Sequence, residues 1–210
     1  MSDKKIIITS VVLSLVLIIG GWIYSKNKPA NIPNPGPAAV TQTQQTNAAA
    51  GIVLGSDNAP VVMEEYTNFL CSACGNFATQ TLPQIQENYI KTGKVKMVFY
   101  IYPPLELGRA AYCVSKQDKF VEYHDYLFAH QDGITQEQDI LDFATNIGVD
   151  QASFNECYNS DEAKNAAQSW LDEGQNRGVE ATPTFFINGE KFVGAQPYAD
   201  FEKIIEGKLK

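Results

Sequence analysis

The sequence has few basic residues relative to acidic ones. Its 16 Lys and Arg stand against 24 Asp and Glu, a formal net charge of −8, and this balance argues against a nucleic-acid-binding protein. It also lacks a glycine-rich phosphate loop, a serine triad and a cluster of metal-ligating side chains, so nucleotide, serine-hydrolase and metal sites are not expected. The two histidines, His124 and His130, are expected to be surface or packing residues.

Charged residues are absent from positions 6–24, a run of 19 residues that follows Lys4 and Lys5. Its length is close to the ~20 residues that cross a bilayer and exceeds the roughly 7–15 apolar residues of a cleavable signal peptide. No small-x-small cleavage site closely follows the run, and no cysteine follows it that could carry a lipid. We therefore expect residues 1–26 to be a single N-terminal transmembrane anchor, with the rest of the chain on the extracytoplasmic side of the cell membrane.

Large apolar side chains are scarce in residues 27–50, which are rich in Pro, Gln, Asn, Thr and Ala. Such a segment cannot bury enough surface to offset the entropy cost of its ordering, so we expect a flexible linker. It is also too short and too polar to be a dimerisation domain. The remaining residues, 51–210, have the length of one globular domain.

The first part of this domain carries the signals of a strand, a helix and a second strand. Residues 61–67 and 94–102 are rich in β-forming side chains. The helix between them is predicted to run from near Cys71 to Gly93, with a kink at Pro83, which lacks the N–H that a regular helix needs. This order predicts a parallel βαβ unit in a protein of the α/β class.

The second part is predicted to be helical before it returns to strands. Residues 107–178 have apolar side chains at helical spacing, and Thr135 with Gln138 has the pattern of a capping box that starts one of the helices. The pair Asn188-Gly189 lies between two apolar runs and predicts a β-hairpin. Residues 198–210 are predicted to form a closing amphipathic helix.

Two of the four cysteines, Cys71 and Cys74, lie three positions apart where the first strand gives way to the helix. Unpaired N–H groups and the dipole at a helix start favour the thiolate, which is the reactive form of cysteine. Cys74 lies one turn along, close enough to form a small disulfide with Cys71. A CxxC pair can also be half of a zinc site, but such a site needs a second close pair, and Cys113 and Cys157 lie far apart in the sequence.

Three stretches of the chain together resemble the DsbA-like thiol–disulfide oxidoreductases, in particular their membrane-tethered group. The resemblance extends over roughly residues 52–210 and implies a thioredoxin fold with an inserted helical subdomain at about residues 105–178. The stretches that carry it are 65–74 (EYTNFLCSAC), 119–128 (KFVEYHDYLF) and 178–189 (GVEATPTFFING).

The resemblance assigns roles to five residues around the CxxC motif. It implies that Cys71 is the exposed nucleophile and that Cys74 resolves the mixed disulfide. Pro183 matches the family's cis-proline, which exposes the backbone of Thr182 for pairing with an extended substrate. Glu65 stands where the family carries a buried acid that could exchange a proton with Cys74. The adjacent Glu64 is expected to point to the opposite face and to be solvated.

The sequence leaves open the state of the other two cysteines and the effect of the two residues between Cys71 and Cys74. Cys113 and Cys157 would form a structural disulfide by the family pattern, while the alternative is two separate buried thiols. Ser72-Ala73 departs from the Pro-His pair of strongly oxidising members, so a less oxidising potential is expected. Asn68 replaces an Asp found in many relatives, and any effect of that charge is absent.

The leading functional hypothesis is a membrane-anchored oxidase without a cofactor of its own. It would donate its Cys71–Cys74 disulfide to exported proteins and be reoxidised by a quinone-linked membrane partner of the DsbB or VKOR type. A reductase or isomerase with the same dithiol is the alternative, although such isomerases usually dimerise through an additional N-terminal domain. A tethered metallochaperone is the alternative from another class, but copper carriers usually have a Met or His near the CxxC motif, and none is near this one.

Overall fold

A computed structural model describes residues 50–210 of the chain. The predicted membrane anchor at residues 1–26 and all but the last residue of the predicted linker lie outside this range. Within the described range, none of the helices combines the length and the apolar character needed to span a membrane.

The centre of the domain is a five-stranded sheet with the order β1-β3-β2-β4-β5. Strands β2 and β3 are parallel, which confirms the predicted βαβ unit, and the other neighbouring pairs are antiparallel. The short strand β1 was not predicted, because three residues are too few to show a period. The strands are β1 (Ile52–Leu54), β2 (Val61–Thr67), β3 (Val95–Ile101), β4 (Thr184–Ile187) and β5 (Glu190–Val193).

The helical stretch after β2 begins at Ser72, as the sequence predicted, but it is not uniformly α-helical. Helix α1 (Ser72–Asn76) passes into a π-helical turn at Phe77–Thr81, followed by α2 (Leu82–Ile85) and a second π-helical turn at Gln86–Ile90. Pro83 is the second residue after the first of these turns, so the irregularity expected at this proline takes the form of a π-helical turn.

The inserted helical subdomain comprises five α-helices and a short 3-10 helix among the residues that the structure describes. The predicted capping box is displaced by one residue, since the N-cap is Gln136 and not Thr135. Asp139, not Gln138, accepts the backbone N–H groups of Thr135 and Gln136, at 2.8 and 2.9 Å. The helices are α3 (Leu105–Ser115), α4 (Phe120–Ala129), the 3-10 helix Gln131–Gly133, α5 (Glu137–Asn146), α6 (Gln151–Asn159) and α7 (Asp161–Asn176).

The predicted hairpin and the closing helix are both present. Asn188 and Gly189 form the turn between β4 and β5 with φ angles of 47° and 81°, the left-handed conformation that Asn and Gly adopt most readily. The Asn188 side chain also accepts the N–H of Val62 at 2.7 Å, which ties the turn to β2. Helix α8 (Tyr198–Lys208) follows.

The two faces of the sheet carry different side chains. Phe185 on β4 packs against Phe77 of the cysteine-bearing helix and Phe201 of α8, with ring centroids 4.6 and 4.9 Å apart. On the opposite face Tyr66 stacks on Tyr100 at 4.8 Å. Because side chains alternate along a strand, Glu65 shares the face of Phe185, between the sheet and the cysteine-bearing helix.

Glu64 points to the opposite face, as predicted, but the expectation that it is solvated is wrong. Both of its carboxylate oxygens accept N–H groups from Arg177 at 2.8 Å, and only 20% of its side chain is exposed. Arg177 lies just after α7, so this bidentate pair fastens the end of the insertion to β2.

Cys113 of α3 and Cys157 of α6 are joined by a disulfide in the structure, across a sequence separation of 44 residues. Replacing both with alanine should lower the free energy of unfolding by about 4 kcal/mol, because the unfolded chain loses a loop constraint of this length. Urea denaturation of the oxidised protein and of the variant measures the difference. The variant should retain its thiol–disulfide exchange rate at a temperature where it is folded, and a loss of exchange at unchanged stability would contradict a structural role.

Candidate active site

Cys71 is the residue that precedes the first turn of α1, and it is partly exposed. In the thiol form the Sγ donates a hydrogen bond to the backbone carbonyl oxygen of Thr182, at 3.2 Å. Partial burial acts to raise the pKa of this thiol, but the Thr182 side chain and the N–H groups of Cys74 and Ala73 outweigh it, so the pKa lies below its ordinary value. At this position the thiolate is therefore favoured.

Cys74 lies one turn further along the helix and is fully buried. Burial raises the pKa of its thiol to about 12, and the negative charge of Glu65 acts in the same direction. The N–H of Asn68 faces the sulfur at 3.5 Å and opposes this rise only in part. The two thiols thus differ strongly in acidity and in access, since only Cys71 is open to attack by another protein's sulfur.

Glu65 lies in the middle of β2 and is 1% exposed. Its register partners on the neighbouring strands are Phe99 and Phe185, so its carboxyl group has apolar neighbours on both sides. Burial raises the pKa of this carboxyl to about 8, and one carboxyl oxygen, Oε2, has no hydrogen-bond partner among residues 50–210. A group of this kind holds a proton at neutral pH and can exchange it with a neighbouring thiolate.

Thr182 and Pro183 are joined by a cis peptide bond just before β4. This turn brings the Thr182 carbonyl against Cys71, and the Pro183 carbonyl accepts the N–H of Gly194 at 2.8 Å. Pro183 is buried while Thr182 is partly exposed. The structure thus brings together Cys71, Cys74, Glu65, Thr182 and Pro183, whereas Cys113 and Cys157 form a separate pair in the insertion.

A family model described as Thioredoxin matches residues 47–207, more than half of the chain. The chain belongs to the thioredoxin family. A probable disulfide bond formation protein D from Bacillus anthracis is 28% identical over 225 aligned positions, which cover all of this chain and 99% of that protein.

Two solved structures are similar to this thioredoxin-family chain over most of their own length. BdbD from Bacillus subtilis in its oxidised form is 26% identical, with a TM-score of 0.67 over 76% of this chain and 92% of that one. The α-DsbA1 of Wolbachia pipientis is 25% identical, with a TM-score of 0.69 over 76% and 90% of the two chains. Together with the named relative, they show a DsbA-like thiol–disulfide oxidoreductase with a helical insertion, as the sequence predicted.

Asn68 contributes to this thioredoxin-family site in a way that the sequence did not reveal. Its side-chain Nδ2 donates to the carbonyl oxygen of Pro103 at 2.6 Å, and its Oδ1 accepts the N–H of Leu70 at 2.7 Å. An aspartate could not donate the first of these bonds. The amide therefore ties the loop before Cys71 to the end of β3, where Pro103 and Pro104 are joined by a second cis peptide bond.

Gln131, in the helical insertion, also contacts the active-site loop. Its side-chain Nε2 donates to the carbonyl oxygens of Phe69 and Cys71, at 2.7 and 3.0 Å. No motif in the sequence distinguished this glutamine, because the contact joins residues that are 60 and 62 positions apart.

The histidines lie apart from the dithiol chemistry. His124 is buried among aromatic rings, with Phe128 and Phe99 at 4.8 and 5.4 Å between ring centroids, and His130 is exposed. These positions agree with the prediction of packing and surface roles. Among the residues from 50 onwards, no group of three or more His, Cys, Asp and Glu side chains is arranged to hold a metal ion.

Proposed function

We propose that this protein is an oxidase that donates a Cys71–Cys74 disulfide to exported proteins outside the cell membrane. The observation that carries the proposal is the difference between its two thiols. Cys71 is accessible, with a lowered thiol pKa, while Cys74 is buried, with a thiol pKa of about 12. A stabilised Cys71 thiolate is a good leaving group, which favours transfer of the disulfide to a substrate.

The exchange proceeds in two thiolate attacks. A substrate thiolate attacks the Cys71 sulfur of the oxidised enzyme, which forms a mixed disulfide and releases the Cys74 sulfur as a thiolate. Glu65 supplies the proton that this buried thiolate needs, because its carboxyl group holds one at neutral pH. A second substrate thiolate then attacks the substrate sulfur of the mixed disulfide and releases Cys71 as a thiolate. The substrate loses two electrons to the enzyme's cysteine pair.

Thr182 is suited to hold the substrate chain during this exchange. It is partly exposed and its carbonyl lies 3.2 Å from the Cys71 sulfur, so an extended peptide that pairs with its backbone would bring a substrate cysteine to Cys71. Backbone pairing depends on no particular side chain, so this mode of binding would accept substrate proteins of varied sequence.

The proposal includes a membrane anchor at residues 1–26 and a linker at residues 27–50. The uncharged run at residues 6–24 supports the anchor, since its 19 residues have the length of a membrane span. A quinone-linked membrane protein of the DsbB or VKOR type would reoxidise the dithiol. Membrane fractionation combined with protease digestion of intact cells tests the location, and recovery of the full chain in the soluble fraction would refute the anchor.

Equilibration with glutathione redox buffers tests the direction of catalysis. An oxidase should have a reduction potential well above that of thioredoxin, between about −230 and −120 mV on the scale where thioredoxin lies near −270 mV. The alternative is a reductase with the same dithiol, which the absence of a histidine from Ser72-Ala73 favours. A potential at or below that of thioredoxin would refute the oxidase and support this alternative.

A further inference from the structure

The side chain of Gln131 joins the helical insertion to the backbone on both sides of Leu70. Its Nε2 donates to the carbonyl oxygens of Phe69 and Cys71, at 2.7 and 3.0 Å. The Cys71 carbonyl belongs to the peptide group that leads out of the reactive residue, and the Phe69 carbonyl belongs to the peptide group that joins Phe69 to Leu70. The Cys71 carbonyl also accepts the N–H of Gly75, at 3.1 Å, and so closes the first turn of α1.

Gly75 provides the space for this carboxamide. A Cβ atom added at Gly75 would lie 2.5 Å from Oε1 of Gln131, and real Cβ atoms essentially never come so close to another atom. The nearest obstacle is the end of a flexible side chain, so a substitution at Gly75 would displace the carboxamide and leave the backbone in place.

Packing determines where the carboxamide lies. Phe128, near the end of α4, packs against Phe69 with ring centroids 5.0 Å apart, and Tyr123 packs against the same ring at 6.2 Å. The 3-10 helix that begins with Gln131 follows directly, and its first carbonyl accepts the N–H of Ile134 at 3.1 Å. The insertion thus contacts the active-site loop in two ways, through the aromatic rings that pack on Phe69 and through the hydrogen bonds of Gln131.

We propose that Gln131 is a positioning residue, which holds the peptide group of Cys71 in the orientation that thiol–disulfide exchange requires. The proposal rests on the proposed role of Cys71 as the nucleophile. The carbonyl that Gln131 holds lies in the same rigid peptide plane as the N–H of Ser72. This plane leads into the first turn of α1, in which the N–H groups of Ala73 and Cys74 are directed at the Cys71 sulfur. Holding the plane keeps these groups in the direction that stabilises the thiolate.

The first test replaces Gln131 with methionine, which has a similar length but no N–H donor. We expect the iodoacetamide reaction of Cys71 to slow by about tenfold at a pH below the thiol pKa. Once the peptide plane is released, the thiolate loses about one N–H hydrogen bond, which is worth about a factor of ten. At a pH above the pKa the rate should match that of the wild type, because the thiolate is then fully formed. Gln138→Met is the matched control, since Gln138 is exposed and its side chain donates to Asp142, away from the active-site loop.

A second variant separates positioning from stability. Gly75→Ala should displace the carboxamide and slow alkylation in the same pH range, although alanine favours a helix more than glycine does. In a Gln131→Ala background, Gly75→Ala should have almost no further effect on alkylation, because the side chain that it displaces is already absent.

Two results would overturn the proposal. One is an alkylation pH profile that stays at the wild-type position in both Gln131→Met and Gly75→Ala. The other is a Gly75→Ala effect of equal size with and without Gln131. Alkylation does not depend on the direction of catalysis, so a reductant-like potential would refute the oxidase and leave this test intact. Alkylation of Cys71 too slow to follow in the wild type would instead refute Cys71 as the nucleophile.

Discussion

Replacing Cys71 with serine should reduce turnover of reduced protein substrates to the uncatalysed rate. A serine hydroxyl cannot form the mixed disulfide. Cys74 cannot take the place of Cys71 in the exchange, because it is fully buried and its thiol pKa is about 12. The expected loss is therefore complete. The assay uses a reduced, unfolded two-cysteine protein as substrate and an excess of a chemical oxidant that regenerates the enzyme's disulfide. Titration of the remaining substrate thiols over time measures the turnover.

Cys74→Ser is the matched comparison for this experiment. It leaves the accessible sulfur in place but removes the partner that can displace a bound substrate from it. In the presence of the chemical oxidant, a covalent complex between Cys71 and a substrate variant with a single cysteine should therefore accumulate. This complex should be visible on a non-reducing gel and should disappear when a reductant is added. Residual turnover by Cys71→Ser, or a covalent complex formed by that variant, would refute Cys71 as the nucleophile.

Replacing Glu65 with glutamine should remove a large pH dependence of stability from the reduced protein. The pKa of this carboxyl is about 8 in the fold, against an ordinary value of 4.5. The folded protein thus holds a proton that the unfolded chain releases between these two values. The stability that this proton provides is fully present below pH 4.5 and is lost as the pH rises towards 8.

The size of this effect follows from the separation of the two values. Between pH 5 and pH 8.5 the wild type should lose roughly 3–4 kcal/mol of unfolding free energy that the glutamine variant retains, at about 1.4 kcal/mol for each pH unit in the window. Urea denaturation of both proteins at the two pH values measures the difference. Glu202→Gln, on the exposed side of α8, is the control and should behave as the wild type does.

The same variant tests the proton exchange with Cys74. If Glu65 supplies the proton, Glu65→Gln should slow the steps in which Cys74 gains or loses one, and the stability difference should appear as well. A stability difference without any change in exchange rate would leave Glu65 as a buried acid with no catalytic part. Equal pH dependence in variant and wild type would contradict the raised pKa itself.

The parts of the fold that could be predicted are those that depend on patterns formed by residues close together in the sequence. Strand β2, the start of the cysteine-bearing helix at Ser72 and the Asn188-Gly189 hairpin all depend on a few adjacent residues. The choice of Cys71, Cys74, Thr182 and Pro183 came from motifs that lie in order along the chain. The structure then brings these residues to one place, because the parallel β2–β3 pair and the antiparallel β4 share one sheet.

The features that could not be predicted depend on contacts between distant residues. Glu64 and Arg177 are 113 positions apart and Gln131 is 60 from Cys71, and no local pattern marks either pair. Glutamate side chains are ordinarily exposed to solvent, and this general tendency gave the expectation for Glu64. The bidentate pair with Arg177, which is distant in the sequence, keeps Glu64 largely buried instead. The capping box was misplaced by one residue because Gln138 and Asp139 both satisfy the general pattern of a polar side chain near a helix start.

The burial of Cys113 determines which of the two cysteine pairs a mild reductant can open. Cys113 is fully buried and Cys157 only partly so. An incoming thiolate therefore reaches this disulfide at Cys157 and must expel Cys113 into an apolar interior, where a thiolate is poorly solvated and leaves slowly. At the proposed catalytic pair the accessible sulfur is Cys71, and the sulfur that would leave, Cys74, has Glu65 beside it as a source of the proton that neutralises its charge. The chain can thus pass through repeated cycles of disulfide exchange without scrambling its own structural bond.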